Sequence, residues 1–210
     1  MKNLPDLFRL LELTRTQPQY GYALSDVKSY ELSNLAEHHY LVTMIAWQLA
    51  RHIKNQGGVI DIQKVLEYAL IHDLGELFGG DISRIYVELN KRARVKAKAF
   101  EEENHKFIGK FFGEDEKYFR KLAKEMLDPK TDEAWIFKMA DYMECGHFLR
   151  YSGHYKNDDD DILGKALPKM ISKIRNKHTK KVIKELTDYW LKEISKDKSS
   201  IDVLKRAGKK

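Results

Sequence analysis

The dipeptide His72-Asp73 lies in the run Ala69-Leu70-Ile71-His72-Asp73-Leu74-Gly75-Glu76, where an imidazole and a carboxylate close an apolar segment. Ile62, Val65, Leu66 and Ala69 recur at i, i+3, i+4 and i+7, the pattern of a buried helix face. Continued, that stripe reaches His72, Asp73 and Glu76, so a core-facing surface changes from hydrocarbon to three ionisable groups within one turn. An uncompensated buried carboxylate is costly. A divalent cation compensates, because it favours both the carboxylate and the neutral imidazole.

Two other segments supply matching groups. His38, in Asn34-Leu35-Ala36-Glu37-His38-His39-Tyr40, heads a stripe of Leu41, Val42, Ile45 and Leu49. Asp141, in Phe137-Lys138-Met139-Ala140-Asp141-Tyr142-Met143, shares a face with Ala134, Phe137, Cys145 and Phe148. Singly, each has an ordinary explanation: a first-turn histidine, or a carboxylate paired with one of many Lys and Arg side chains. Three inward polar positions on three apolar stripes point instead to a metal in the core. The set His38, His72, Asp73 and Asp141 offers two nitrogen and two oxygen ligands. It suits one divalent transition ion (Mn, Co, Fe, Ni or Zn) better than Ca or Mg. His39 is turned about 100° from His38 on a helix, so the two are not expected to share an ion. His52, His147, His154 and His178 show no paired spacing.

The elements that must position these residues read as helices throughout, giving an all-α fold. Leu4 to Thr16 is amphipathic through Leu7, Leu10, Leu11 and Leu13-Thr14, and residues 17–32 form an aromatic, Gly-containing loop. Asn34 is the expected N-cap of the next helix, with Glu37 completing a capping box, so Glu37 is read as structural. That helix is expected to reach Asn55 and end at Gly57-Gly58. Asp61 caps a helix expected to run through His72 to about Phe78, broken by Gly79-Gly80, which leaves Asp81 on a loop at the site mouth. A charged helix follows from about Asn90 to Phe112, with Lys91-Arg92-Ala93-Arg94-Val95-Lys96 facing solvent. Gly113-Glu114-Asp115 turns into a helix through Met126, and Thr131 or Asp132 starts the helix carrying Asp141. Asp158-Asp159-Asp160-Asp161 reads as a solvated acidic loop, followed by one or two Lys-rich helices and a fraying Ala207-Gly208-Lys209-Lys210 end.

Composition bounds the rest. At 210 residues, 42% hydrophobic and 33% charged, the chain can build a real core and is not a disordered polymer. The lone Cys145 excludes an intramolecular disulfide and fits a reducing, cytoplasmic setting. Met1 to Asp6 lacks the apolar core of a signal peptide, and no run is long enough to span a membrane. The net charge of +6, with lysine concentrated in the last third, reads as a solvated face with a weak preference for anionic substrates. No nucleic-acid-binding motif or Gly-rich phosphate loop is present, so nucleic acid and membrane are not expected as partners.

The order His, His-Asp, distant Asp resembles the HD-domain superfamily of metal-dependent phosphohydrolases, and more finely its 5′-deoxynucleotidase-like branch. Glu37-His38 resembles the first motif, with Asn34 upstream. Ile71-His72-Asp73-Leu74-Gly75-Glu76 followed by Gly80-Asp81-Ile82 resembles the second, and Lys138-Met139-Ala140-Asp141 the third. The resemblance runs from about Leu7 to about Tyr155. It implies a single HD domain over residues 1–210, with a helical-bundle catalytic core at about 7–155 and a helical extension at about 159–206. By this resemblance His38, His72, Asp73 and Asp141 bind one divalent metal, Glu76 acts on the attacking water, and Asp81 lines the sugar or phosphate site. A homodimer is also implied. Dinuclear members insert extra histidines between the second and third motifs, which makes His105 the candidate ligand for a second metal, although one ion is favoured. One position departs from the branch: in Pro18-Gln19-Tyr20-Gly21-Tyr22, Gln19 stands where an Arg commonly holds the nucleotide phosphate. Gln lacks the charged bidentate fork of Arg, and Arg15 or Arg84 could replace it.

Two function classes follow. The first is a phosphomonoesterase acting on (deoxy)nucleoside 5′-monophosphates or a related small phosphorylated metabolite. The alternative is a non-catalytic, regulatory nucleotide-binding HD protein, motivated by Gln19. An oxygenase chemistry with two irons is a third option to which only His105 points.

Overall fold

Apolar stripes on three helices drive them together, and each stripe carries or leads into one of the ionisable residues singled out above. The protein was analysed as a computed structural model that describes residues 3–155, 162–196 and 199–208. The acidic run Asp158 to Asp161, Met1 and the last two lysines lie outside the described residues.

In chain order the helices are α1 (Leu4–Leu11), α2 (Leu35–Asn55), α3 (Ile62–Ile71), α4 (Arg84–Leu89) and α5 (Lys91–Gly109). They are followed by α6 (Glu116–Leu127), α7 (Asp132–Tyr151), α8 (Ile162–Lys173), α9 (Lys177–Ile194) and α10 (Ser200–Ala207). There is no strand among the described residues, only an isolated antiparallel bridge between Pro18 and Asn34. The fold is all-α, as the periodicity predicts. No helix of the described residues is long and apolar enough to cross a membrane.

The centre is the packing of α2, α3 and α7 against one another. Val42, Ala46, Leu49, Ala50 and Ile53 of α2 are buried with Val65, Tyr68 and Ala69 of α3 and Ile136, Phe137, Met139, Ala140 and Met143 of α7. Leu41, read from the sequence as part of the inward stripe, is instead exposed beside Tyr40, Met44 and Trp47 on the outer face of α2. Helix α8 packs on α7, and α9 on α8 and α2.

Local capping starts the central helices where the sequence indicates. Asn34 Oδ1 accepts from the Glu37 amide at 3.0 Å, and the Glu37 carboxylate accepts back from the Asn34 amide at 3.4 Å. Asp61 caps α3 through the Lys64 amide at 3.1 Å, and Thr131 caps α7 through the Ala134 amide at 3.2 Å. Each such cap contributes about 1 kcal/mol. The Glu37 carboxylate also accepts from Ser33 Oγ at 3.1 Å, which agrees with its structural reading.

Helix α3 differs from expectation at its far end. It stops at Ile71 instead of about Phe78, and Leu74–Glu76 form a 3₁₀ turn. Glu76 is therefore presented by a tight turn and not by a continuing helix face. The turn is clamped from α5, where Asn104 Nδ2 donates to the Gly75 carbonyl at 2.6 Å. His105, buried, packs beneath Gly75 and donates from Nδ1 to the Glu101 carbonyl at 2.9 Å. A Cβ on Gly75 would lie 2.6 Å from the His105 ring and 3.0 Å from Glu101 Cγ. Gly75→Ala is thus expected to overpack this contact and lower stability by about 1–3 kcal/mol. Thermal or urea unfolding reads the change, and an unaltered midpoint would mean that the His105 ring simply moves aside.

Candidate metal centre

Three helices deliver four side chains to one point. His38 sits in the first turn of α2, His72 and Asp73 follow the last turn of α3, and Asp141 lies in the middle of α7. His38 Nε2 and His72 Nε2 are 3.0 Å apart. Asp73 Oδ2 is 3.4 Å from His38 Nε2 and 3.3 Å from His72 Nε2, and Asp141 Oδ1 is 3.4 Å from His38 Nε2. The two imidazoles are buried, whereas the side chains of Asp73 and Asp141 keep 19% and 25% of their surface exposed, so the cluster opens on its carboxylate side.

The far nitrogens explain why the near ones face each other. His38 Nδ1 donates to Glu144 Oε2 at 2.7 Å, and Tyr22 donates its hydroxyl to the same oxygen at 3.1 Å. His72 Nδ1 donates to the Ala69 carbonyl at 2.8 Å. With Nδ1 protonated, a neutral imidazole carries a lone pair on Nε2. Two such lone pairs and two carboxylates meeting at one point repel unless a cation or proton stands among them. This donor set fits a divalent transition ion, which His38, His72, Asp73 and Asp141 could hold. Among the described residues the histidine pair with Asp73 is also the only group of three or more ligand-type side chains compact enough to hold an ion.

Glu144 was not anticipated from the sequence. Its signal was present: Asp141 and Glu144 are spaced i, i+3 on one helix and so share a face. It orients His38 in the manner of the carboxylate–imidazole pairs that support metal ligands.

The electrostatics divide the carboxylates into two groups. Burial opposes charge on Asp73, but the imidazoles of His72 and His38 outweigh it and hold its pKa well below the usual range. Asp141 is lowered in the same way, against burial, by its hydrogen bond to His38 and by His72. For His38 burial works against charge, and the carboxylates of Asp141, Asp73 and Glu144 overcome it and raise its pKa. Around this core, burial and the negative charge of Asp73 push the others upward. Glu76 rises well above the usual carboxylate range through burial, Asp73, Asp81 and Glu101. Asp81 goes to about 6, chiefly by burial, and Glu101 to about 7 by burial and Asp73 against the pull of Lys138. Carboxyls held low beside carboxyls pushed high is the division of environments that acid–base sites use. Glu101, on α5, is a second residue the sequence reading missed, because only packing brings α5 to the turn.

The remaining sequence candidates are placed as follows. Gln19 is buried and donates from Nε2 to Asp73 Oδ2 at 3.3 Å. It is held there because residues 17–19 pair with 33–35: the Gln19 amide donates to the Ser33 carbonyl and the Leu35 amide to the Gln17 carbonyl, both at 2.9 Å. Asp81 Oδ2 accepts from the Gly21 amide at 2.5 Å, which ties the segment after Gly79-Gly80 to the segment after Gln19. Glu76 Oε2 is buried and has no hydrogen-bond partner. Arg15 is not brought to the cluster: its side chain is exposed and pairs with Glu12 at 2.7 Å. Arg84 opens α4, and its side chain lies outside the described residues. His105 packs under Gly75 and against Phe119, with ring centroids 6.2 Å apart, and does not join the His38–His72–Asp73 group. His39 is buried next to the cluster, its pKa lowered to about 3 by burial and the neighbouring His72, and its Nε2 accepts from the Asp73 amide at 3.3 Å.

A 5′-deoxynucleotidase, HDDC2 of Dictyostelium discoideum, is 27% identical over 147 residues, 69% of this chain and 74% of that protein. Two solved structures share the fold. A conserved hypothetical protein from Pyrococcus furiosus matches with a TM-score of 0.69 and 23% identity, covering 89% of this chain and 98% of its own. A protein from Pyrococcus horikoshii OT3 matches with a TM-score of 0.64 and 20% identity, covering 88% and 96%. The family described as HD domain matches residues 15–187, a span that takes in α2, α3 and α7 with all four converging side chains. The chain therefore belongs to the HD-domain family.

Proposed function

We propose that the protein is a metal-dependent phosphohydrolase that hydrolyses the phosphomonoester of nucleoside 5′-monophosphates, with deoxynucleotides or a related small phosphorylated metabolite as the natural substrate. The observation that carries this reading is the convergence of His38, His72, Asp73 and Asp141 beside an unpartnered Glu76 carboxylate. Relatedness to a 5′-deoxynucleotidase supports the substrate class.

The four residues would hold one divalent ion, which when bound supplies an acidified water and neutralises charge developing on a phosphoryl oxygen. The chain's own groups do the rest. Glu76 has a buried oxygen without a partner, and burial and the carboxylates around it raise its basicity, so it is suited to take the proton of the attacking water. Asp81 is anchored by Gly21, and on this reading it would line the sugar or phosphate site. Gln19 donates to Asp73 Oδ2, the oxygen that faces both imidazoles, and its second amide hydrogen and its carbonyl oxygen can be offered to substrate. Burial of His38 and His72 keeps bulk water from competing at the inner side of the site.

The test is phosphate release from a panel of phosphate esters, with Mn²⁺ or Co²⁺ added. Nucleoside 5′-monophosphates are expected to be turned over, and 3′-monophosphates and simple phosphodiesters to be poor substrates. The second reading, a nucleotide binder without turnover, is favoured by the neutrality of Gln19, which brings no positive charge to a phosphate. Stoichiometric metal with nucleotide binding and no phosphate release would replace the first reading with the second.

A further inference from the structure

We infer that His39 is a positioning residue that sets two of the metal ligands, His72 and Asp73, by exchanging one backbone hydrogen bond at the end of α3. The inference rests on the metal-site reading above.

In a continuing helix the Asp73 amide would donate to the carbonyl four residues back, that of Ala69. Here it donates across to α2, to His39 Nε2 at 3.3 Å. The released Ala69 carbonyl then accepts from His72 Nδ1 at 2.8 Å. Both consequences bear on the site. His72 is fixed with its proton on Nδ1, so the lone pair of Nε2 points to His38 Nε2 at 3.0 Å and Asp73 Oδ2 at 3.3 Å. Asp73 leaves the helix, with φ −103° and ψ 15°, and starts the turn that carries Gly75 and Glu76. Had the ladder continued, the Ala69 carbonyl would have been shared between the Asp73 amide and His72 Nδ1, and Asp73 would have stayed on the helix.

His39 suits this role and not that of a ligand. Its Nε2 is committed to the amide, which requires a neutral ring protonated on Nδ1. It is buried, and its ring centroid lies 4.6 Å from that of His72. Consecutive histidines on α2 thus divide the work. His38 offers a nitrogen to the cluster, and His39, about 100° around the helix, shapes the backbone that supplies the other two ligands.

The experiment uses the metal-free full chain, with Mn²⁺ binding followed by calorimetry, thermal unfolding of the same samples, and ¹⁵N NMR of the histidine rings. His39→Phe keeps a ring and removes the acceptor, whereas His39→Gln places a carbonyl oxygen near the position of Nε2. The expected result is Mn²⁺ affinity weakened about 10–100-fold in His39→Phe, the usual effect of losing an outer partner of a ligand. His39→Gln should bind close to wild type, although both variants melt lower than wild type. Wild-type affinity in His39→Phe, or equal weakening in the two variants, would overturn the inference, since packing alone would then explain His39. Should His39→Phe not fold, the wild-type spectrum decides: a proton on Nδ1 of His39 is expected, and a proton on Nε2 is incompatible with the exchange. A wild-type protein that takes up no Mn²⁺ would instead remove the metal-site reading, while the ring proton would still report on the hydrogen bond.

Discussion

Asp73→Ala is expected to leave the protein folded and unable to retain its metal. Asp73 Oδ2 is the one oxygen within 3.4 Å of both imidazole nitrogens, so its removal takes away the charge shared by the two neutral ligands. The loss should exceed the roughly 100-fold that marks the upper end for outer partners, because a charged ligand itself is removed. Turnover should fall with it to the level of the metal-free protein. The Asp73 amide keeps His39 as acceptor whatever the side chain, so the turn bearing Glu76 stays in place and loss of metal is separable from loss of fold. Metal analysis of both proteins after purification, with circular dichroism as the control for folding, is the measurement. Equal stoichiometric metal in wild type and variant would remove Asp73 from the ligand set.

Glu76→Gln should have the opposite signature: metal retained, turnover lost. The substitution keeps size and hydrogen-bonding capacity and removes the base. A fall in kcat of about 10²–10⁴-fold is expected, the range for a positioned general base, with KM and metal content near wild type. An ordinary glutamate at a helix end pairs with a Lys or Arg. The structure places carboxylates around Glu76 instead, those of Asp73, Asp81 and Glu101, and leaves Oε2 buried without a partner. Single-turnover phosphate release, with metal quantified in the same samples, separates the outcomes. Wild-type turnover would end the proposed role, and joint loss of metal and activity would make Glu76 part of the metal site.

How much of this was legible beforehand differs between elements, and the difference has a physical cause. The four convergent residues could be read because helical periodicity alone places His38, His72 and Asp141 at the ends or centres of apolar stripes, and apolar stripes meet in a core. The Asn34, Asp61 and Thr131 caps could be read because a cap is a contact three residues long. The end of α3 could not. Within the local sequence nothing stops the helix at Ile71, and the acceptor that diverts the Asp73 amide is His39, 34 residues away on another helix. The same holds for Gly75, whose lack of a side chain is demanded by His105 of α5, and for Glu101, which only the packing of α5 brings to the turn. Gln19 and Arg15 make the contrast sharpest. Both were candidates for the substrate side of the site, only four residues apart. A short pairing of residues 17–19 with 33–35 carries Gln19 to Asp73, while Arg15 is left on the surface with Glu12. The chain's sequence determined which faces are apolar, where most helices start and which residues have the chemistry of a metal site. The tertiary structure alone decided where α3 ends, which nitrogen of each histidine is free and which carboxylates are pushed above their usual range. Those properties depend on groups distant in sequence that packing brings within hydrogen-bonding distance.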